Sequence, residues 1–249
     1  MKMLKIALSG YGRMGKEVEK AALKAGHSIL CKIDRPADWN ENADLLLQCD
    51  VVIDFSLPQS ASEAVNKCFD LGIPVVSGTT GWEAGLAAAR LRCQNENKSF
   101  FYAPNFSIGV NIFFEINRRL SELLEDYSDY QPHIHEIHHI HKLDAPSGTA
   151  IALARGITEN HSQYQQGWVA APDQKPDHVS ISSERTGEIP GTHIVTWASD
   201  TDSIEIKHTS HNRQALAQGA VKAAEWLAGK KGCFGMLDML GINYSKKKY

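Results

Sequence analysis

Over the first hundred positions, short apolar runs alternate with stretches of helical spacing. Leu4-Lys5-Ile6-Ala7-Leu8-Ser9 reads as a strand, and Met14, Val18, Ala21, Ala22 and Ala25 then share one helical face until Gly26 stops the helix. His27 to Ile33 is a second strand. Asp50-Val51-Val52-Ile53-Asp54-Phe55 is a third, apolar enough for burial on both faces. A helix over 60–71 turns Ala61, Ala64, Val65 and Cys68 inward. Residues 72–77 form a fourth strand, 82–91 a further helix, and Phe100-Phe101-Tyr102-Ala103 a fifth strand. Strand–helix alternation with short connections predicts a doubly wound parallel sheet, because right-handed crossovers lay helices on both faces.

The pattern changes past Pro104. A long amphipathic helix over 108–124 is expected to carry Ile112, Phe113, Ile116, Leu120 and Leu123 inward. Segments 178–184, 193–198 and 203–208 alternate like half-exposed antiparallel strands, the last two joined by the polar turn Ser199-Asp200-Thr201-Asp202. An alanine-rich helix over 214–227 is expected to pack back on the first domain. The expected fold is α/β: a doubly wound parallel sheet plus a second, α+β domain with a mostly antiparallel sheet. The boundaries fall at 1–106, 107–213 and a C-terminal return over 214–249.

Composition narrows the function classes. A chain of 249 residues holds one large domain or two modest ones, and 43% hydrophobic with 22% charged residues is ordinary for a soluble protein. The net charge of -3 suggests no nucleic-acid partner, and Lys246-Lys247-Lys248 reads as a solvated end. The five cysteines are scattered and never in a CxxC pair, which suits reduced thiols in the cytoplasm. No apolar run is long enough for a membrane. The strand at 4–9 runs straight into a glycine turn, leaving no room for a signal peptide.

That turn is Ser9-Gly10-Tyr11-Gly12-Arg13-Met14-Gly15, a complete G-x-G-x-x-G between a strand and a helix. The first glycine permits the tight bend, the second lets a pyrophosphate approach the backbone, and the third closes helix on sheet. Asp34 ends the second strand about twenty residues on, where a ribose hydroxyl partner belongs. The first domain is therefore read as Rossmann-like. Arg35 follows, and a guanidinium there suits the 2′-phosphate of NADPH as the carboxylate suits NADH, so both cofactors stay open. Ser77-Gly78-Thr79-Thr80-Gly81 and Ala103-Pro104-Asn105-Phe106-Ser107 lie beyond the carboxyl ends of strands, where a nicotinamide would sit.

The most informative stretch is 136–149, Glu-Ile-His-His-Ile-His-Lys-Leu-Asp-Ala-Pro-Ser-Gly-Thr. His138, His139, His141 and Lys142 set proton donors and cations beside the Ser147-Gly148-Thr149 start of a helix, whose free N–H groups favour an anion. A metal cluster is the alternative reading of His133 to His141. On an extended strand His133, His135, His139 and His141 would face away from His138, and no cysteine or second carboxylate follows at zinc spacing, so no metal is expected. His208 and His211 are either substrate-facing or polar surface.

The run 136–150, with Asp54-Phe55-Ser56, Gly78-Thr79-Thr80 and Asn105-Phe106-Ser107, resembles the 4-hydroxy-tetrahydrodipicolinate reductase family across nearly the whole chain. The resemblance implies reduction of a small cyclic dicarboxylate, with loss of water, by NADPH or NADH in the diaminopimelate route to lysine. It implies His138 as the acid–base histidine, Lys142 as proton donor, and His139, Gly148 and Thr149 on the substrate. The cofactor residues it implies are Ser9 to Gly15, Asp34, Arg35, Phe55, Gly78, Thr79, Thr80 and Ala103 to Phe106. A homotetramer built through second-domain sheets is also implied. Between Gly191 and Ser203 the chain is shorter than longer family members by about one hairpin, which bears on that tetramer. A different dinucleotide enzyme and a catalytically silent NAD-binding sensor are the rivals. A phosphorylating semialdehyde dehydrogenase would need an activated cysteine, and none of the five has such a context.

Overall fold

Six parallel strands form the first sheet, in the spatial order Gly232–Phe234, Ser99–Tyr102, Val75–Ser77, Val51–Asp54, Lys5–Ser9 and Ser28–Ile33. In the computed structural model, which describes residues 2–173 and 175–242, the chain divides into two compact units. Unit 1 comprises 1–108 with 213–249 and unit 2 comprises 109–212; Lys246 to Lys248 lie outside the described residues.

Unit 1 runs β1 (Lys5–Ser9), α1 (Arg13–Lys24), β2 (Ser28–Ile33), the single-turn helices α2 (Asp38–Glu41) and α3 (Ala43–Leu46), then β3 (Val51–Asp54). It continues through α4 (Pro58–Asp70), β4 (Val75–Ser77), α5 (Glu83–Asn95) and β5 (Ser99–Tyr102), where α6 (Ile108–Leu123) leads into unit 2. The period-2 alternation of the strands builds two cores. Ile6, Leu8, Val51, Ile53, Val76 and Phe101 point to one face, against Val18 and Ala22 of α1. Ala7, Val52, Val75 and Phe100 point to the other, against Ala61, Val65 and Phe69 of α4. The strand order reverses between β1 and β3, and in an open α/β sheet ligands bind outside the carboxyl ends at that point.

The fourth strand is shorter than the sequence suggests. Only Val75–Ser77 pair, because Gly72 (φ +71°) and Ile73 close α4 by bonding back to Phe69 and Cys68, and Pro74 has no N–H to give.

Unit 2 contains β6 (Gln131–His138), α7 (Gly148–Thr158), β7 (Trp168–Ala170), β8 (Val179–Arg185), β9 (Gly191–Ala198) and β10 (Ser203–Ser210). Its sheet has the order β10-β9-β6-β8-β7. This corrects the mostly antiparallel expectation: β9 is antiparallel to β6 and β10, but β8 is parallel to β6 and β7. The chain leaves β6 through α7 and returns, and a helical crossover brings the next strand back parallel.

One face of this sheet packs Ile134, Val179, Ile181, Val195 and Trp197 on Leu153, Ala154 and Ile157 of α7 and on Phe113 of α6. The expected inward face of α6 is also corrected. Val110, Phe113, Asn117 and Ser121 are buried, whereas Ile112, Ile116 and Leu123 are 43%, 47% and 57% exposed. Asn117 turns inward because its amide donates to the Leu153 carbonyl at 2.9 Å, a tie an aliphatic side chain could not make.

After β10 the chain re-enters unit 1 as α8 (Gln214–Leu227), β11 (Gly232–Phe234) and α9 (Met236–Leu240). Ala217, Ala220, Val221 and Ala224 of α8 join the β1–β3 core. A Cβ on Gly219 would lie 1.8 Å from the Phe106 carbonyl oxygen, so the small residue lets this helix close on the loop after β5.

Candidate active site

In unit 1, Gly10 bends at φ +80° and its N–H donates to the Ile33 carbonyl at 2.7 Å, pinning the turn to the end of β2. No heavy atom lies within 4 Å of where a Cβ would stand on Gly12, which leaves its backbone open to a close approach. A Cβ on Gly15 would lie 2.2 Å from the Gly10 carbonyl oxygen, so α1 packs tightly over the turn. Asp34 Oδ1 accepts the Tyr11 N–H at 2.8 Å, which sets the carboxylate beside the turn. A pocket here is lined by Ser9, Gly10, Gly12, Asp34, Arg35 and Phe55, with Trp39 and Glu63.

The Arg35 guanidinium is engaged by two carboxylates. Its Nη2 lies 2.5 Å from Asp38 Oδ1 and 3.4 Å from Glu41 Oε2. Backbone N–H groups of Asp34 and Arg35, then the guanidinium, hold the Asp38 carboxyl down to about 2.

The remaining cofactor candidates are divided by the fold. The Tyr11 hydroxyl bonds Glu19, with Lys32 2.9 Å from it, while Arg13 is exposed and Met14 packs against the core. Gly78 makes room for the Phe55 ring, whose Cε1 would be 2.2 Å from an added Cβ. Thr79 is buried and donates to Asp54, while Thr80 and Pro104 are exposed. Ala103 and Phe106 belong to the core, where the Phe106 ring meets Phe55 and Phe101 at 5.8 and 5.9 Å. Asn105 Oδ1 accepts the Ser107 N–H and shapes the loop.

Asp54 itself is fully buried and accepts from Ser9 Oγ (2.9 Å), Ser77 Oγ (2.8 Å) and Thr79 Oγ1 (3.1 Å). Burial pushes its carboxyl up from the usual range, against those donors and the Ser56 contact. One carboxylate thus ties the ends of β1, β3 and β4 together.

Unit 2 gathers the second cluster. Alternation along β6 puts Glu136 and His138 on the inward face, both buried, and His133 and His135 on the other. His133 and His135 are occupied by Ser182 Oγ at 2.9 and 2.8 Å. The strand ends at His138, so His139 and His141 sit in the following turn, not on the strand as expected; their rings are 6.0 Å apart. Lys142 Nζ is 2.8 Å from both oxygens of Asp144, whose own carbonyl accepts Arg185 Nη2 at 2.6 Å. Ser147 caps α7 by accepting the Ala150 N–H at 3.2 Å, and Gly148 and Thr149 are its first residues, with N–H groups that the helix does not use.

The centre of this cluster was not legible as such. Glu136, 0% exposed, uses Oε1 to accept from Ser147 N–H (3.0 Å), Ser183 Oγ (2.7 Å) and Arg185 Nη2 (2.9 Å). Its Oε2 faces His138 Nδ1 at 3.3 Å and His193 Nε2 at 3.7 Å. Burial works to raise this carboxyl but is outweighed by His138, His193, Ser147 and Ser183, and it titrates far below the ordinary range. Burial, with the nearby His138 and Lys142 charges, lowers His193 despite its contact with Glu136.

Ligand atoms of Glu136, His138 and His193 lie within 4.8 Å of one another, a grouping a metal could use. It was missed because His193 comes from β9, paired in register with Glu136. Elsewhere, His208 stacks 5.9 Å from Phe113 and is lowered by burial, while His211 is exposed.

Residues 4–106 match the family model "Dihydrodipicolinate reductase, N-terminus" and residues 109–240 match "Dihydrodipicolinate reductase, C-terminus". A 4-hydroxy-tetrahydrodipicolinate reductase of Christiangramia forsetii is 48% identical, covering 95% of this chain and 98% of its own length. One from Neisseria gonorrhoeae is 34% identical, with coverages of 96% and 98%. A solved dihydrodipicolinate reductase of Paenisporosarcina sp. TG-14, with dipicolinate bound, shares the fold at a TM-score of 0.76 and 21% identity, over 95% of this chain and 99% of that one. With both halves matched and relatives aligned along nearly their full length, the chain belongs to the dihydrodipicolinate reductase family.

Proposed function

We propose that this chain reduces 4-hydroxy-tetrahydrodipicolinate to tetrahydrodipicolinate, in the diaminopimelate route to lysine in the cytoplasm. One hydride and one proton enter the ring system and one water leaves. Family membership and the two curated relatives support the reaction. The observation that carries the residue assignment is the meeting of His138, a buried carboxylate and the open first turn of α7 within one short stretch.

Glycines 10 and 12 and the start of α1 fit a pyrophosphate, since the backbone at Gly12 is open and the first N–H groups of the helix are unused. Asp34 would take ribose hydroxyls. When bound, reduced nicotinamide supplies the hydride. Lys142 places a cation, and α7 places the N–H groups of Gly148 and Thr149, where carboxylates of the substrate are held, with His139 beside them. His138 delivers the proton that balances the hydride. Arg185 already gives Glu136 a cationic partner, so we read the cluster as handling protons, not a metal.

A coupled assay tests this reading: an upstream synthase makes the unstable substrate, and nicotinamide absorbance is followed. Absorbance falling in proportion to this chain is expected. Binding of NADH with no turnover would overturn the reading in favour of a silent binder. Lys142→Ala should lower kcat about 10²-fold, because a charged donor aimed at the substrate is lost, and near-normal turnover would remove Lys142 from the chemistry.

We propose NADH as the preferred cofactor. Two carboxylates, Asp34 and Glu63, line the pocket, and the Arg35 guanidinium that also lines it is already shared between two more, Asp38 and Glu41. A 2′-phosphate would have to displace those partners. Asp34→Ala should weaken NADH about tenfold, the worth of a hydrogen bond to a charged group, with less effect on NADPH. Equal losses in a fluorescence titration would argue against the ribose contact. A homotetramer built through the half-buried, polar face of the unit 2 sheet, with His133, His135 and Ser182, completes the proposal. Light scattering should find four copies per particle.

A further inference from the structure

We infer that Glu136 is a positioning residue, a buried anion that fixes the tautomer of His138 and holds its imidazolium. Glu136 Oε2 and His138 Nδ1 are 3.3 Å apart, an ion-pair contact; both atoms are buried, and neither makes a hydrogen bond to any group in this structure, so each lacks another partner for its proton or lone pair. The other oxygen cannot exchange roles with Oε2. Oε1 is held by three donors from two places: the Ser147 N–H before α7, and Ser183 Oγ and Arg185 Nη2 from β8. A carboxylate clamped on one side keeps its remaining lone pairs aimed at the two imidazoles beside it, of which His138 is the nearer.

The consequence for His138 follows from its two nitrogens. With Oε2 accepting the proton on Nδ1, the neutral ring has its free lone pair on Nε2. Nε2 lies over Gly191, where an added Cβ would stand 3.0 Å from it, so the missing side chain leaves room beside that nitrogen. The ring can then take up a proton at Nε2 and release it there, while Oε2 balances the charge from behind. The groups facing Glu136 are His138 on its own strand, His193 from β9 and Arg185 from β8; Lys142 and Asp144 act on its neighbours. His193 Nε2 is also 3.1 Å from Ser147 Oγ, the cap of α7, so the same carboxylate braces the helix start expected to bind the substrate.

Glu136→Gln separates charge from shape. The three donors around Oε1 require the carbonyl oxygen of the glutamine there, which turns its NH₂ toward the imidazole. An NH₂ presents protons to Nδ1, so the ring should switch to the Nε2–H tautomer. Substituting an amide for an orienting carboxylate is known to leave geometry intact while producing the wrong tautomer.

The tautomer part stands on geometry alone; the kinetic part rests on the reductase reading. The test is a long-range ¹⁵N–¹H spectrum of full-length protein labelled at histidine, at a pH where the rings are neutral, with His138→Gln assigning the resonance. In the wild type the His138 proton is expected on Nδ1; a proton on Nε2 overturns the inference whatever the variants do. Glu136→Gln should move it to Nε2 and lower kcat about 10²-fold with the KM for NADH unchanged. Glu136→Asp, which keeps the charge, should retain the Nδ1 proton and recover at least tenfold of that loss. Equal losses in the two variants with an unmoved tautomer would reduce Glu136 to a structural residue and overturn the inference. Should Glu136→Gln fail to fold, the wild-type and Glu136→Asp spectra decide. A correct tautomer in a protein with no reductase activity would sink the functional reading and leave this one standing.

Discussion

His138→Gln is expected to lower kcat roughly 10³-fold, within the span of general acid–base catalysis, with binding of NADH unchanged. The substitution keeps a polar side chain of similar reach but removes a group that takes up and releases a proton near neutral pH. His138 lies at the end of β6 in unit 2, whereas the residues around the glycine turn belong to unit 1, so cofactor affinity has no reason to fall. Stability should change little. The ring is 6% exposed and packs 5.0 Å from His193, but glutamine fills most of that space. Its amide also gives Glu136 Oε2 a donor, so no buried charge is stranded. Stopped-flow and steady-state kinetics with the coupled substrate check the prediction. A kcat within tenfold of wild type would mean that Lys142 or solvent delivers the proton.

The sequence carried the local parts of the two clusters and not the convergent ones. Gly10, Gly12 and Gly15 could be read because each glycine answers a local geometric demand, and Asp34 because it closes the next strand. The start of α7 was readable for the same reason: Ser147 is a cap whose partner is three residues away. Glu136 stands in the sequence only as the first residue of the 136–149 run. Its role depends on Arg185, Ser183 and His193, which strand pairing brings from about fifty positions away, and no single-sequence period reports such pairing. A partial signal existed: Glu136 and His138 are two apart on a strand, hence on one face, and two ionisable groups facing a core must be paired.

The misjudged face of α6 has a related cause. Hydrophobic spacing favours Ile112 and Ile116 as inward, yet Asn117 and Ser121 take that side because their side chains bond backbone carbonyls of Leu153 and Asn117. Periodicity weighs apolar residues and is blind to a polar side chain with a partner waiting.

Gly10→Ala and Gly12→Ala should fail in opposite ways, and the contrast tests the nucleotide seat directly. At Gly10 the backbone sits at φ +80°, and an added Cβ would lie 2.4 Å from the Phe55 carbonyl oxygen and 2.5 Å from Ser56 N. Those atoms are backbone and cannot swing aside, since the Phe55 N–H donates to the Ser9 carbonyl at 2.8 Å in the same sheet. The left-handed conformation costs about 1–2 kcal/mol and overpacking roughly 1–3 kcal/mol more. At about 2–4 °C per kcal/mol for a domain of this size, the melting temperature should drop by roughly 4–20 °C. Cofactor binding would fall with it, because the turn itself is displaced. Gly12 is different. Its φ of -76° suits any residue, and the space around its missing Cβ is empty. Gly12→Ala should therefore melt within about 1 °C of wild type, but a methyl group would stand where a pyrophosphate has to approach, and NADH should bind at least tenfold more weakly. Thermal melts with and without NADH separate the two effects. A Gly12→Ala protein that binds NADH normally would show that the phosphates do not rest on this turn, and the open backbone at Gly12 would then have no ligand to explain it.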